Sequence, residues 1–497
     1  MDLMEQCQRW NENDQFQNII DAIEALPEGA RTPELDSELA RAYNNLAKPG
    51  DRALFEKAAA LLEPHEAYFQ GNHSWNFRLA YAYYYLDWEG EALRYFERAL
   101  EARPGDPDTL EYIDDCRKRL ALPQFGTPFR ARVAESWALF RREEGELRRL
   151  LDQKDREGAS RELLDRCQAA LAPALGDTNF ELGFNGQKYE LILTPDGARD
   201  RLFPLVYFRR YAPQDVLERW NILVGRQRSG GFALRHASCE QDISAEDVQA
   251  WVETRGDAPG HGSVSLTLYC EKLLPLLREQ EGMAWWLLAT LTDQVLGEVP
   301  SIAYLNGMEV VDAPKGENGM ALSALPQALE VMGMDLALDA EGYLENGYVA
   351  YQMEPSQDPE ADWRLDVFAG SIRCPALLNE YLRGESRTMD EFHRLGAVPG
   401  FIVYPLDCFA GEAERGKAAL EFRDALEAAL TRETGADAVT FLGGATGISC
   451  GYLDFIAWDL EPVLKAAAVF FQNSPMAWAA FHTFRRGVGT VRLKREE

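Results

Sequence analysis

The sequence predicts a multidomain chain. An all-α N-terminal part ends in a helical hairpin and is followed by two α+β domains, whose mixed or antiparallel sheets are packed with helices. Three observations lead there. Apolar residues three and four apart run through residues 1–176, and at 177 they give way to short, alternating apolar segments. Small residues at Cys7, Ala40 and Ala80 each precede an aromatic by three positions, at Trp10, Tyr43 and Tyr83. Charge is unevenly placed as well: −11 in 1–120, +1 in 121–175, −7 in 176–315 and −13 in 316–497. A near-neutral piece thus separates acidic ones, and the predicted boundaries are 1–120, 121–176, 177–315 and 316–497.

Composition narrows the function classes. The 497 residues carry a net charge of −30, so nucleic acid and anionic membrane surfaces should repel the chain. The expected partners are proteins or peptides, basic ones included. The first residues lack the basic and apolar regions of a secretory leader, and no apolar run approaches the ~18 residues of a membrane span. The eight cysteines are scattered without a CxxC spacing, as expected of reduced thiols in a cytoplasmic protein.

The N-terminal elements are read from residues 79–104, LAYAYYYLDWEGEALRYFERALEARP, as a helix, a turn around Asp87 to Gly90, and a second helix closed by Pro104. Second helices of the same kind carry Ile19 and Ile23, Ala58 and Leu62, and Ala92 and Phe96. The first-helix points are spaced 33 and 40 residues and the second-helix points 39 and 34. One insertion of about six residues near Lys48 to Asp51 brings both series to a 34-residue period. Over about 1–107 the chain resembles the tetratricopeptide repeat (TPR) family, with Asp108 to Leu120 as the polar capping helix. It departs from that pattern where Asn76 and Asp36 replace the usual Trp and where Ala or Cys replaces the usual Gly. As a whole the chain is similar to uncharacterised bacterial TPR proteins with a C-terminal α+β body.

Phe77, Tyr81, Tyr84 and Tyr85 fall at i, i+4, i+7 and i+8, one stripe of the third first-helix. The TPR resemblance implies that this stripe lines a concave peptide-binding face, together with Arg41, Asn44 and Asn45 of the second repeat and Gln8 and Asn11 of the first. Amides there can pair with an extended backbone, Arg41 with a carboxylate, and the tyrosines supply rigid contact area. The basic set is too sparse for the carboxylate clamp of chaperone-binding TPRs. The competing expectation is that these rings pack on the chain's own following helices.

Pro123 and Pro128 mark a joint before a helix carrying Phe129, Val133, Trp137, Phe140, Leu147 and Leu151, with a second helix at about 159–171. Beyond 177, strands are predicted at 189–193, 221–224, 248–252, 263–269 and 301–311, with helices at 199–219 and 281–296. The last domain has strands near 348–353, 363–368, 400–404, 438–442, 450–458 and 478–484. Helices are expected at 374–383, 387–395, 412–434 and 460–472.

Chemistry is sparsely signalled. Gly447-Ile448-Ser449-Cys450-Gly451 matches a nucleophile elbow, with Asp459 and His482 following in order. An elbow needs a helix directly after the serine, and Tyr452 to Trp458 reads as strand, so a glycine-rich hairpin is expected instead. Asp366 and Asp454 sit in similar settings, LDVF and LDFI, and can share acid–base or metal chemistry if their strands pair; solvent-facing positions are the simpler expectation. Histidines at 65, 73, 236, 261, 393 and 482 show no zinc spacing. No cofactor is expected. The reading is a non-enzymatic interaction or scaffold protein that binds a peptide or helix, with an acidic toxin-inhibitor-like protein and a hydrolase near Ser449 or Asp366/Asp454 as alternatives.

Overall fold

The computed structural model describes residues 2–153, 156–229, 233–234, 242–255, 263–358, 360–409 and 412–495. His236, Cys239 and His261 lie outside them. Helices and sheets are mixed, and the chain forms two compact units, Met1–Arg130 with Val349–Glu497, and Ala131–Tyr348. The units are drawn differently from the four-piece division. The near-neutral segment does not stand apart, and the boundary at 316 falls inside the second unit.

Seven helices open the first unit: α1 (Leu3–Glu12), α2 (Phe16–Glu24), α3 (Pro33–Leu46), α4 (Arg52–Leu62), α5 (His73–Tyr85), α6 (Glu89–Ala102) and α7 (Pro107–Ala121). Their starts are written in the sequence. Thr32 accepts from the Leu35 amide and Asp106 from that of Thr109, each followed by proline in the first turn, and Asn72 accepts from Trp75 N. Asp14 and Asp87 take positive φ, 55° and 61°, to reverse the chain between paired helices. Cys7, Ala40 and Ala80 are fully buried, as are Ile19, Ala58, Leu62, Ala92 and Phe96 on the second helices. Successive hairpins are joined by side-chain bonds between residues 34 apart: Asn45 Nδ2 to Asn11 Oδ1 (3.1 Å), Asn44 Nδ2 to Arg78 O (2.9 Å) and Arg52 Nη1 to Leu86 O (3.0 Å).

The chain continues through α8 (Phe129–Leu151) and α9 (Arg156–Leu175) into a three-stranded sheet of β1 (Phe180–Phe184), β2 (Tyr189–Leu193) and β3 (Trp220–Val224), with β2 and β3 parallel. Trp137 of α8 stacks on Phe208 at 4.3 Å and Phe140 meets Trp220 at 5.3 Å, so this hairpin belongs to the core of the second unit. The single helix expected over 199–219 is two, α10 (Leu202–Arg210) and α11 (Gln214–Leu217), because Pro213 cannot continue a helix. A short ladder of β4 (Ala233–Leu234) and β5 (Ile243–Ser244) precedes a four-stranded sheet in the order β8-β7-β6-β9. Its strands are β6 (Gln249–Arg255), β7 (Ser263–Tyr269), β8 (Leu305–Val310) and β9 (Met320–Ala321). Around it lie α12 (Leu274–Glu279), α13 (Glu281–Leu296), α14 (Glu298–Tyr304), α15 (Leu325–Val331) and α16 (Ala340–Asn346). The strand expected from 301 begins as helix α14, which Gly297 (φ 90°) and Pro300 in its first turn start.

The first unit resumes as a seven-stranded antiparallel sheet, β10-β11-β13-β14-β12-β15-β16. The strands are β10 (Val349–Gln352), β11 (Val367–Ile372), β12 (Val398–Pro405), β13 (Val439–Gly447), β14 (Cys450–Ala457), β15 (Ala479–Thr483) and β16 (Val491–Lys494). Every residue of β12 and β14 is buried, the pattern of central strands covered on both faces. The helices are α17 (Pro375–Arg383), α18 (Arg387–Leu395), α19 (Glu412–Thr434) and α20 (Leu460–Gln472). The helical part and the sheet meet directly: Thr483 Oγ1 of β15 donates to Leu120 O of α7 at 3.2 Å.

Candidate functional site

The predicted inner face runs over α1, α3 and α5. Gln8 and Asn45 are exposed, whereas Asn11 is half-buried and accepts from Asn45. Arg41 is ion-paired to Glu38, which also holds Arg78 at 2.9 Å. Asn44 is buried beneath Arg78. Phe77 packs edge-on against Phe96 (5.4 Å) and Tyr112 (5.8 Å), Tyr81 meets Tyr112 at 5.7 Å, and Tyr85 stacks on Phe55 at 4.9 Å.

Tyr84 is a correction. Only 9% exposed, it donates to Asp115 Oδ2 at 2.6 Å, and the Arg119 guanidinium lies 4.6 Å from its ring centroid. The capping helix therefore takes up much of the aromatic stripe, through Tyr112, Asp115 and Arg119, which sequence spacing did not single out. Burial, with a hydrogen bond to Tyr85, pushes the Tyr81 hydroxyl up to about 12, so Tyr81 is a neutral donor at neutral pH.

Asp366 and Asp454 have a different geometry from either expectation. Asp366 precedes β11 instead of sitting within it, and β13 lies between β11 and β14, so the two aspartates do not face across neighbouring strands. Asp366 braces the β13–β14 turn: its Oδ2 accepts from the Ser449 amide (3.2 Å) and the Cys450 amide (3.1 Å), and its carbonyl from Ile448 N (2.9 Å). Gly447 leaves room for that carboxylate, since a Cβ there would overlap it. Ser449 is exposed in a two-residue hairpin turn, as the strand reading predicts.

Asp454 is not solvent-facing but 0% exposed, bound to the equally buried Arg364 through both carboxylate oxygens. Arg364 also donates to Tyr351 Oη at 2.6 Å and lies 5.2–5.3 Å from the rings of Phe401, Tyr452 and Phe484. Its φ of 72° is a left-handed conformation that a bulky residue holds only when its surroundings over-determine it. Tyr452 links the two aspartates: its hydroxyl donates to Asp366 and accepts from the Arg364 amide. Nothing in the residues around Arg364 marked it beforehand, because a lone Arg in a polar stretch reads as surface.

The elbow reading fails on distance. Ser449 and Asp459 flank opposite ends of the eight-residue β14, roughly 27 Å at ~3.4 Å per residue. His482 is buried on β15 with Nδ1 against Thr483 O. Among the described residues no group of three or more His, Cys, Asp or Glu is placed to hold a metal ion, and no helix is long and apolar enough to cross a membrane.

Two further carboxyls stand out in the second unit. Glu298, 0% exposed, accepts from Arg226 N (3.0 Å) and Gly197 N (3.3 Å), tying together the loops that follow β3 and β2. Burial pushes Glu298 up to about 7 and the nearby Asp293 to about 6, the Arg226 side chain only partly offsetting it.

Compared with known proteins, the chain matches no family model, no curated protein and no solved structure.

Proposed function

We propose that this chain is a non-enzymatic interaction protein whose N-terminal helices, TPR-like in their repeat, receive an extended peptide or a helix of another protein. The observation that carries this is the repeated bonding at a 34-residue offset along α1, α3 and α5, from Asn11 to Asn45 and from Asn44 to Arg78. The repeat builds one face from successive first helices, with amides at its open end. Gln8, Asn11 and Asn45 offer donors and acceptors that suit a peptide backbone, and half-buried Tyr81 and Tyr85 border them on α5. Selection of a displayed random-peptide library on the full chain tests the reading. Enriched peptides should lose about tenfold or more affinity to the Gln8→Ala/Asn45→Ala variant. Absence of enrichment, or equal binding by the variant, would refute it.

A further inference from the structure

One edge of the seven-stranded sheet is β10, whose ladder runs to β11 alone. Met353 N donates to Phe368 O at 3.1 Å, and antiparallel bonding alternates, so Val349 and Tyr351 also turn their backbone groups inward. The N–H and C=O groups of Ala350 and Gln352 therefore point outward, and both residues are exposed. Such an edge is a template for another strand, and proteins commonly blunt it with charge, proline or a bulge. β16, at the opposite edge, carries Arg492 and Lys494. β10, Val-Ala-Tyr-Gln, has neither charge nor proline, and its register with β11 is unbroken.

The two sides of this edge differ. Tyr351 folds inward: its ring lies over Gly370, where a Cβ would come within 2.5 Å of it, and its hydroxyl accepts from Arg364. That leaves Val349, 40% exposed, as an apolar ledge on the same side. The other side holds Ala350 and Gln352, and Glu354 continues their alternation beyond Met353. From 349 to 362 there are four acidic residues and no basic one. Asp362 is paired with Arg486, but Glu354, Asp358 and Glu360 are exposed and form no ion pair among the described residues.

We propose that β10 receives a basic, extended peptide of another protein as an added edge strand. Main-chain bonds to Ala350 and Gln352 supply the affinity. Alternate side chains of the guest fall on opposite sides of the sheet, apolar ones against Val349 and Lys or Arg beside Gln352 and Glu354. A second copy of β10 fits less well, since it carries the same acidic stretch and brings no cation to Glu354. This surface does not involve the face of α1, α3 and α5.

Selection on the full chain of short displayed peptides, alternating Val, Ile or Phe with Lys, Arg or Thr, tests this. Enriched peptides are then synthesised with N-methyl groups on one or the other alternate set of amides. Methylation of the set that faces β10 should weaken binding about tenfold or more, and methylation of the outward set much less. Ala350→Pro removes an outward N–H and no ladder bond, so it should weaken binding to a similar degree with a matching thermal melt. Where that melt does not match, the methylated peptides on the wild-type chain decide. The Gln8→Ala/Asn45→Ala variant should bind as the wild type does. Absence of enrichment, equal binding of the two methylated sets, wild-type affinity in a folded Ala350→Pro, or lost binding in the Gln8→Ala/Asn45→Ala variant overturns the proposal. Sedimenting dimers that Ala350→Pro abolishes would make a second copy the occupant and overturn it equally.

Discussion

Glu89 and His393 lie 304 residues apart in sequence, yet Glu89 Oε2 and His393 Nε2 are 2.6 Å apart, with both side chains almost wholly excluded from solvent. Around them Glu91 pairs with Arg394, Asp390 with Arg485, and Arg119 Nη1 reaches Glu89 Oε1 at 3.4 Å. Burial works to raise the Glu89 carboxyl, but His393, a backbone hydrogen bond and Arg119 together hold it below its ordinary value. Replacing His393 by Ala strands a buried carboxylate, with only Arg119 left near it. The expected loss is about 3–5 kcal/mol of unfolding free energy. Urea unfolding of Glu89→Gln, His393→Ala and the double variant should give a coupling energy above about 1 kcal/mol, and additive effects would show that the pair is energetically idle.

The Arg364–Asp454 pair should behave asymmetrically. Arg364→Met alone leaves Asp454 charged in an apolar interior and should cost about 3–5 kcal/mol. Arg364→Met combined with Asp454→Leu removes both charges and should recover most of that loss, as read by the denaturant midpoint. A double variant no better than the single one would mean that the fold depends on the ions themselves.

Glu298 makes stability depend on pH. Its folded pKa is raised, so the folded state keeps a proton that the unfolded chain gives up. Its contribution is full below about pH 4.5 and is lost as pH rises through about 7, a difference of about 3 kcal/mol at ~1.4 kcal/mol per pKa unit. Thermal melts between pH 5 and pH 8 should fall more steeply for the wild type than for Glu298→Gln. Parallel profiles would remove Glu298 as the cause.

Gly447→Ala tests the hairpin reading of the serine motif. The added methyl overlaps the Asp366 carboxylate, and relieving that overlap should cost about 1–3 kcal/mol. Ser449→Ala, at an exposed turn, should change stability by less than about 0.5 kcal/mol. If Ser449→Ala proved the more damaging, the serine would have a role that the turn geometry does not give it.

Local periodicity made most elements legible. Helix 281–296 and strand 189–193 are found as predicted, because each is long or strongly patterned enough for local sequence to decide. What escaped depended on distant partners. β1 is a short strand at a sheet edge, defined by pairing and not by composition. Asp454 reads as a surface aspartate in a strand until Arg364, 90 residues earlier, is seen beneath the same aromatic cage. Tyr84 fits a groove position on α5 alone, and only α7 shows that its hydroxyl is already engaged. Joining the first 130 residues to the last 149 has no local signature, since it rests on Glu89, Glu91 and Leu120 meeting residues from 390 onward.

That joining sets an order on biosynthesis. The opening helices emerge first, but their partners on α18 and β15 are translated only after the intervening 218 residues of the other unit have been made. Until then Glu89 and Glu91 remain solvated. The inserted unit, whose residues are contiguous, is free to fold while the nascent chain's first helices still await their sheet.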